Sequence, residues 1–223
     1  MERFLAFPLE TIPYVVIALL IAFTVHEYAH AFVAYKFGDP TAKNQGRLTL
    51  SPLAHLDPIG TLLIFIAGFG WAKPVPVNRF YFKNPRLAGV LVSIAGPISN
   101  LIVALVGLFV LLLVVKFGVW AVLPYSFQSG FEQFINILVR LNVMLFIFNL
   151  LPFPPLDGYR ILEDLAPATL RAKMTQYESY GIIIFLFLVI TPLDQYTISP
   201  FLRNGISIVQ DILVSIVQPL FNL

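Results

Sequence analysis

The run His26-Glu27-Tyr28-Ala29-His30 has residue types and spacing that suit metal-assisted hydrolysis. On a helix, positions i and i+4 share a face with β-carbons about 5–6 Å apart, so both imidazoles can reach one Zn²⁺. Glu27 lies one residue along, beside such a metal but turned away from direct ligation. There its carboxylate can take a proton from an attacking water and pass it to a leaving amine. This is the pattern H-E-x-x-H of metalloproteases. Five residues can also match by chance, or satisfy one another at a helix interface. Their setting argues otherwise, because they fall inside the apolar stretch from Thr11 to Phe37. Each ionisable group there costs about 2.5–3.5 kcal/mol at a bilayer centre unless it has a partner or a task. A metal supplies both.

Two histidines leave a catalytic zinc one protein ligand short. The chain has three His, so the candidates are His55 and the carboxylates within the membrane. Asp157 is the best placed of these. Pro152, Pro154 and Pro155 break the preceding helix, and Gly158 permits a sharp turn that can aim the carboxylate back into a bundle. Capping the helix that follows explains an Asp-Gly pair equally well.

Composition says what must position these groups. Of 223 residues, 58% are hydrophobic and 12% charged, and mean hydropathy is +0.85. That charge is roughly half of a soluble protein's, too little for a water-facing exterior. Disorder, collagen and coiled coil are excluded by the same figures. A net charge of +2 gives no reason to expect nucleic acid. Without Cys there is no disulfide framework, thiolate metal site or Cys nucleophile. The length allows about five or six spans of about 20 apolar residues. The expected fold is an all-α polytopic bundle of that many transmembrane helices with a short cytoplasmic-side re-entrant β-rich segment. We expect a single membrane-embedded peptidase domain over 1–223, with a core at 11–165 and C-terminal helices at 166–223.

The first helix stops at Gly38-Asp39-Pro40. Residues 44–51 read as a short strand, as do 72–78, where Pro74 and Pro76 enforce an extended edge. Between them, Ile59 to Trp71 is too short to cross comfortably. Arg86 to Lys116 predicts a helix with a kink at Gly96-Pro97, 117–130 a loop, and Phe131 to Leu151 a further helix. Residues 159–179 carry charge and suit a surface helix or pair, Gly181 to Ile190 begins another span, and 198–223 reads as a span or interfacial helix. Lys36, Lys43, Arg47, Lys73, Arg79, Lys83 and Arg86 cluster before the second long helix, and 117–130 has no Lys or Arg. The positive-inside rule then puts 38–85 and 159–179 in the cytoplasm. Both flanks of 59–71 fall on one side, so this run should enter and return, which irregular backbone tolerates only where it is buried or lines a wet cavity. Glu27 is ten residues from Phe37, roughly 15 Å, which puts the site inside the membrane, nearer the cytoplasmic face.

A transmembrane H-E-x-x-H, a distant Asp157-Gly158 preceded by Asn149-Leu150-Leu151-Pro152, and Gly96-Pro97-Ile98-Ser99-Asn100 between them resemble the site-2 protease family of intramembrane zinc metalloproteases. The stretches 46–60 and 70–78 are similar to its compact prokaryotic members, which lack an appended soluble domain. The resemblance covers about 11–165. It implies one catalytic Zn²⁺ held by His26, His30 and Asp157, with Glu27 as general base. It also implies that Asn100 and Asn149 sit near the metal and hydrogen-bond the substrate backbone or the developing oxyanion; an interhelical hydrogen bond is the plainer reading of each. The implied substrate is a membrane protein, cut in or near a single-span segment, in a prokaryotic cell membrane. The segments 44–51 and 72–78 would flank the site and hold the unwound substrate by strand addition.

His55 and Asp57 read as structural, and Arg140 has no evident partner and is read as snorkelling outward. A metal-binding transporter or a catalytically inactive homologue would use similar residues, although neither needs a base beside two ligands. Three His are too few for a membrane di-iron oxygenase, and no G-x-S-G or G-x-G-D motif of serine or aspartyl intramembrane proteases is present.

Overall fold

The computed structural model describes residues 6–67 and 70–221. Its helices are α1 (Ile12–Lys36), α2 (Thr41–Asn44), α3 (Pro58–Ala67), α4 (Pro85–Lys116), α5 (Tyr125–Asn149), α6 (Asp157–Leu165), α7 (Ala168–Ile190) and α8 (Ile198–Val217). Five helical stretches are long and apolar enough to cross a membrane: Leu9–Lys36, Pro85–Lys116, Tyr125–Asn149, Ala168–Ile190 and Ile198–Phe221. The protein is an integral, multi-pass membrane protein.

Helix α4 is the centre of the bundle, packed against α1, α5, α6 and α8. Its buried face includes Ala88, Gly89, Ser93, Gly96, Ser99, Asn100, Ala104 and Gly107. Small residues at such an interface let helix backbones approach closely where lipid offers no hydrophobic drive. Asn84 caps its start by accepting from Leu87 N–H at 3.3 Å, with Pro85 at the first position. Helical structure continues through Pro97. The main apolar core lies between α1, α4 and α5 and includes Val15, Ala18, Ala22, Ala104, Leu138 and Val143.

Three expectations need correction. The β-rich segment is not supported: no strand occurs among the described residues, 41–44 is a helical turn and 72–78 is an irregular strap. The strap's backbone groups are satisfied by other partners than a ladder. Lys73 N–H donates to His55 O (2.8 Å), and the Arg47 guanidinium reaches Lys73 O (2.5 Å) and Pro74 O (3.2 Å). Val75 N–H donates to Glu27 Oε2 (2.8 Å), while Pro74 and Pro76 have no N–H to offer. Part of the 59–71 run, residues 68–69, lies outside the described residues; on either side of them, a Cβ on Gly60 would lie 2.2 Å from Trp71 O, so the chain returns to the start of α3. Helix α5 begins at Tyr125, not 131, because Pro124 supplies an extended N-cap that starts it early. Finally, 168–190 is one helix, with the charged residues of its first half continuous with the apolar second half.

Two local devices aim the site. Asp39, fully buried, accepts from Thr41 N–H (2.9 Å) and from Asn78 N–H (2.6 Å), tying the end of α1 to the end of the strap. Beyond α5, the Pro-rich turn reverses the chain so tightly that a Cβ on Gly158 would sit 2.3 Å from Leu150 O. Only glycine admits that approach, and Asp157 is the residue it carries into the bundle.

Candidate active site

His26 Nε2 and His30 Nε2 lie 3.1 Å apart, and Asp157 Oδ2 is 3.3 Å from each. Four ligands at about 2.0–2.1 Å around tetrahedral zinc define edges of about 3.3 Å, so the three atoms form one face of such a tetrahedron. Asp157 Oδ2 is buried and has no hydrogen-bond partner in the protein, a costly state for a carboxylate unless an ion answers it. Both imidazoles are turned by their other nitrogens. His26 Nδ1–H donates to Asn100 Oδ1 and His30 Nδ1–H to Val92 O, each at 2.7 Å. That leaves both Nε2 lone pairs facing Asp157, the arrangement that metal-ligating histidines require. The residues fit zinc.

The wall behind the pair is Gly96. A Cβ there would lie 2.3 Å from His30 Nε2 and 2.6 Å from His26 Cε1. Ala in a helix interior ordinarily stabilises by roughly 0.5–1 kcal/mol over Gly; here Gly96→Ala is expected to push the imidazoles apart. Zinc retained after dialysis against a weak chelator should fall at least about tenfold, the range typical of disturbed ligand orientation.

The site opens into a cavity of ≈ 790 Å³ whose lining includes His26, Glu27, His30, Asn149 and Asp157. Glu27 is buried and adjoins the strap through Val75. Asn149 donates from its Nδ2 to Leu145 O (2.9 Å) within its own helix and faces the cavity. Asn100 is placed differently from the expected substrate contact. It is fully buried, is absent from the cavity lining, and its amide is engaged on three sides: with His26, with Ala22 O (3.2 Å) and with Asn142 Oδ1 (2.9 Å). Its place is behind the His26 ring. Asn100→Ala is therefore expected to weaken zinc binding about 10–100-fold, measured by competition with a chromophoric chelator, with little change in helix content.

Asn142 escaped the sequence reading. It is fully buried on α5 and donates to Leu138 O at 2.8 Å while accepting from Asn100. The available signal was an amide two helical turns before Asn149 in an apolar span. His55 is fully buried, with Nε2 bonded to Thr49 O at 2.7 Å, and Asp57 accepts from Gly60 N–H at 2.8 Å.

The far wall of the cavity is ionic. Arg79, just after the strap, bonds the Asp164 carboxylate on α6, and Arg171 on α7 reaches the same oxygen at 3.2 Å. Arg160 bridges Glu163 (3.1 Å) and Glu178 (2.5 Å). Burial pushes the Asp164 carboxyl above its ordinary range, outweighing the two arginines. Strap, α6 and α7 are thus clasped together, and α6 begins at Asp157.

Sequence comparison matches residues 14–192 to Peptidase family M50. The chain belongs to this family, the site-2 proteases. The protease is 59% identical to a protein of Bacillus subtilis named "Putative zinc metalloprotease YwhC", over 99% of this chain and all of the relative. It is 35% identical over 184 residues to Rip2 of Mycolicibacterium smegmatis, covering 80% of this chain and 67% of that one. A Methanocaldococcus jannaschii relative, MJ0611, is 30% identical over 66% of this chain and 68% of its own length. Both carry the same zinc metalloprotease description. No solved structure matches the chain. The protein is a zinc metalloprotease, and the ligand triangle is where this protease can hold its ion.

Proposed function

We propose that this protease hydrolyses peptide bonds in or near the transmembrane segments of other membrane proteins, from a site nearer the cytoplasmic face of a prokaryotic cell membrane. The observation that carries the reading is the location of the triad. Two donors and Glu27 belong to the span α1, buried among α4, α5 and α6, about ten residues before the helix ends. A bond there is reached from the bilayer or its edge.

His26, His30 and Asp157 would hold the ion. Zinc, when bound, supplies Lewis acidity that polarises the scissile carbonyl and makes water a better nucleophile near neutral pH. Glu27 takes the proton from the attacking water and returns it to the leaving amine. The Val75 N–H on Oε2 fixes the carboxylate's direction while Oε1 stays available. Asn149, at the cavity wall, would donate to the oxygen that becomes negative as the carbonyl is attacked; Asn100 holds the His26 ring. Because much of the strap's backbone is already engaged, an unwound substrate must use its remaining carbonyls or displace those contacts.

The test is cleavage of a labelled single-span peptide by the protease reconstituted in phosphatidylcholine vesicles, with product masses mapped. Cuts within or at the edge of the apolar segment, abolished by chelation and restored by zinc, are expected. Cleavage confined to soluble, unstructured peptides would overturn the reading.

A further inference from the structure

Arg140 sits on the span α5, nine residues before Asn149 and so roughly 14 Å from the helix end. Its side chain is exposed, and among the described residues it has no hydrogen bond or ion pair. Ser129, Glu132 and Asn136 are exposed on the same face, 11, 8 and 4 residues earlier, at helical spacing. Together with Thr11 and Gln133 they line a shallow groove of ≈ 460 Å³. The opposite face of α5, with Leu138, Asn142 and Leu145, is packed into the core. A polar stripe is therefore turned outward from a membrane helix. Intramembrane cations are otherwise found facing a bundle interior, a wet cavity or a counter-charge.

The stripe is separate from the peptidase site. Nine residues at about 100° each place Asn149 half a turn around α5 from Arg140, so the groove and the catalytic cavity open in opposite directions. A second copy of this chain is a poor occupant. A two-fold interface between parallel copies pairs equal depths, setting Glu132 against Glu132 and Arg140 against Arg140.

We propose that this face of α5 docks the transmembrane helix of a partner protein that carries a carboxylate level with Arg140. The partner would present an amide, hydroxyl or basic group about two turns nearer the Tyr125 end, opposite Glu132. Hydroxyl and amide groups at Ser129 and Asn136 offer the interhelical hydrogen bonds that hold helices together in lipid. The reading does not depend on the proposed substrate class, since the surface is remote from the cavity.

The experiment uses the full chain in phosphatidylcholine vesicles with donor-labelled single-span probes. These are Leu/Ala helices flanked by Lys, carrying Glu, Leu or Lys at the central position. Energy transfer to the acceptor-labelled protease should show the Glu probe associating at least about tenfold more tightly than the Leu probe, roughly 1.4 kcal/mol. Arg140→Leu should erase the difference, Arg140→Lys should retain it, and Arg140→Glu should shift the preference to the Lys probe. Zinc content should be unchanged in all three. Equal association of the Glu and Leu probes with the wild-type protein would overturn the proposal, and that comparison stands even if a variant fails to fold. So would cross-linking from Asn136→Cys that captures only a second protease copy.

Discussion

Glu27→Gln is expected to lower peptide cleavage by about 10²–10⁴-fold, the usual contribution of a positioned general base, while zinc stays at about one per chain. The substitution is chosen for its shape. Glutamine keeps a carbonyl oxygen that can accept from Val75 N–H as Oε2 does now, so the strap should not shift. What disappears is the ability to hold a proton between the two halves of the reaction. Metal content by atomic absorption and initial rates on the same preparation separate the two effects. Full zinc with undiminished cleavage would remove Glu27 from the chemistry.

Asp157→Ala should be as severe in activity but by a different route. Two imidazoles 3.1 Å apart are then the only protein donors left in the triangle. Zinc should fall from about one per chain to near zero, a greater loss than the roughly 10–100-fold cost of a group that merely orients a ligand. The fold should survive. Helix α6 remains fastened through Asp164 to Arg79 and Arg171, and removing a carboxylate whose Oδ2 is buried without a hydrogen-bond partner relieves a penalty in the metal-free protein. Circular dichroism unchanged beside an empty site is the expected pair of results. Retained zinc would show that another group completes the coordination.

The difference between these variants tracks what could be read from the chain. His26, Glu27 and His30 were legible because i, i+4 geometry is local and their placement in an apolar span is conspicuous. Asp157 was legible only as an Asp-Gly after a proline break, since its approach to the histidines depends on how α6 packs against α4. Asn100 was legible as a polar group near the histidines but not as the partner of the His26 ring, because a residue's address on a helix does not say which neighbour its side chain meets. Asn142 was passed over for the same reason: its meaning lies in the contact between α4 and α5. The strap was legible as extended and illegible as unpaired. Prolines predict the backbone angle, but the partners of Lys73, Pro74 and Val75 are side chains and loops distant in sequence.

The reversal at Gly158 has a bearing on biosynthesis. The two histidines are added to the chain 131 and 127 residues before the third donor (157 − 26 and 157 − 30). During that interval the nascent chain sits beside the insertion machinery and other newly made polypeptides with only two of its three coordinating groups. Hydrolytic competence therefore arrives late, as one closing event when the short helix docks against α4. A ribosome that stalls at any earlier codon leaves an inert stump in the lipid.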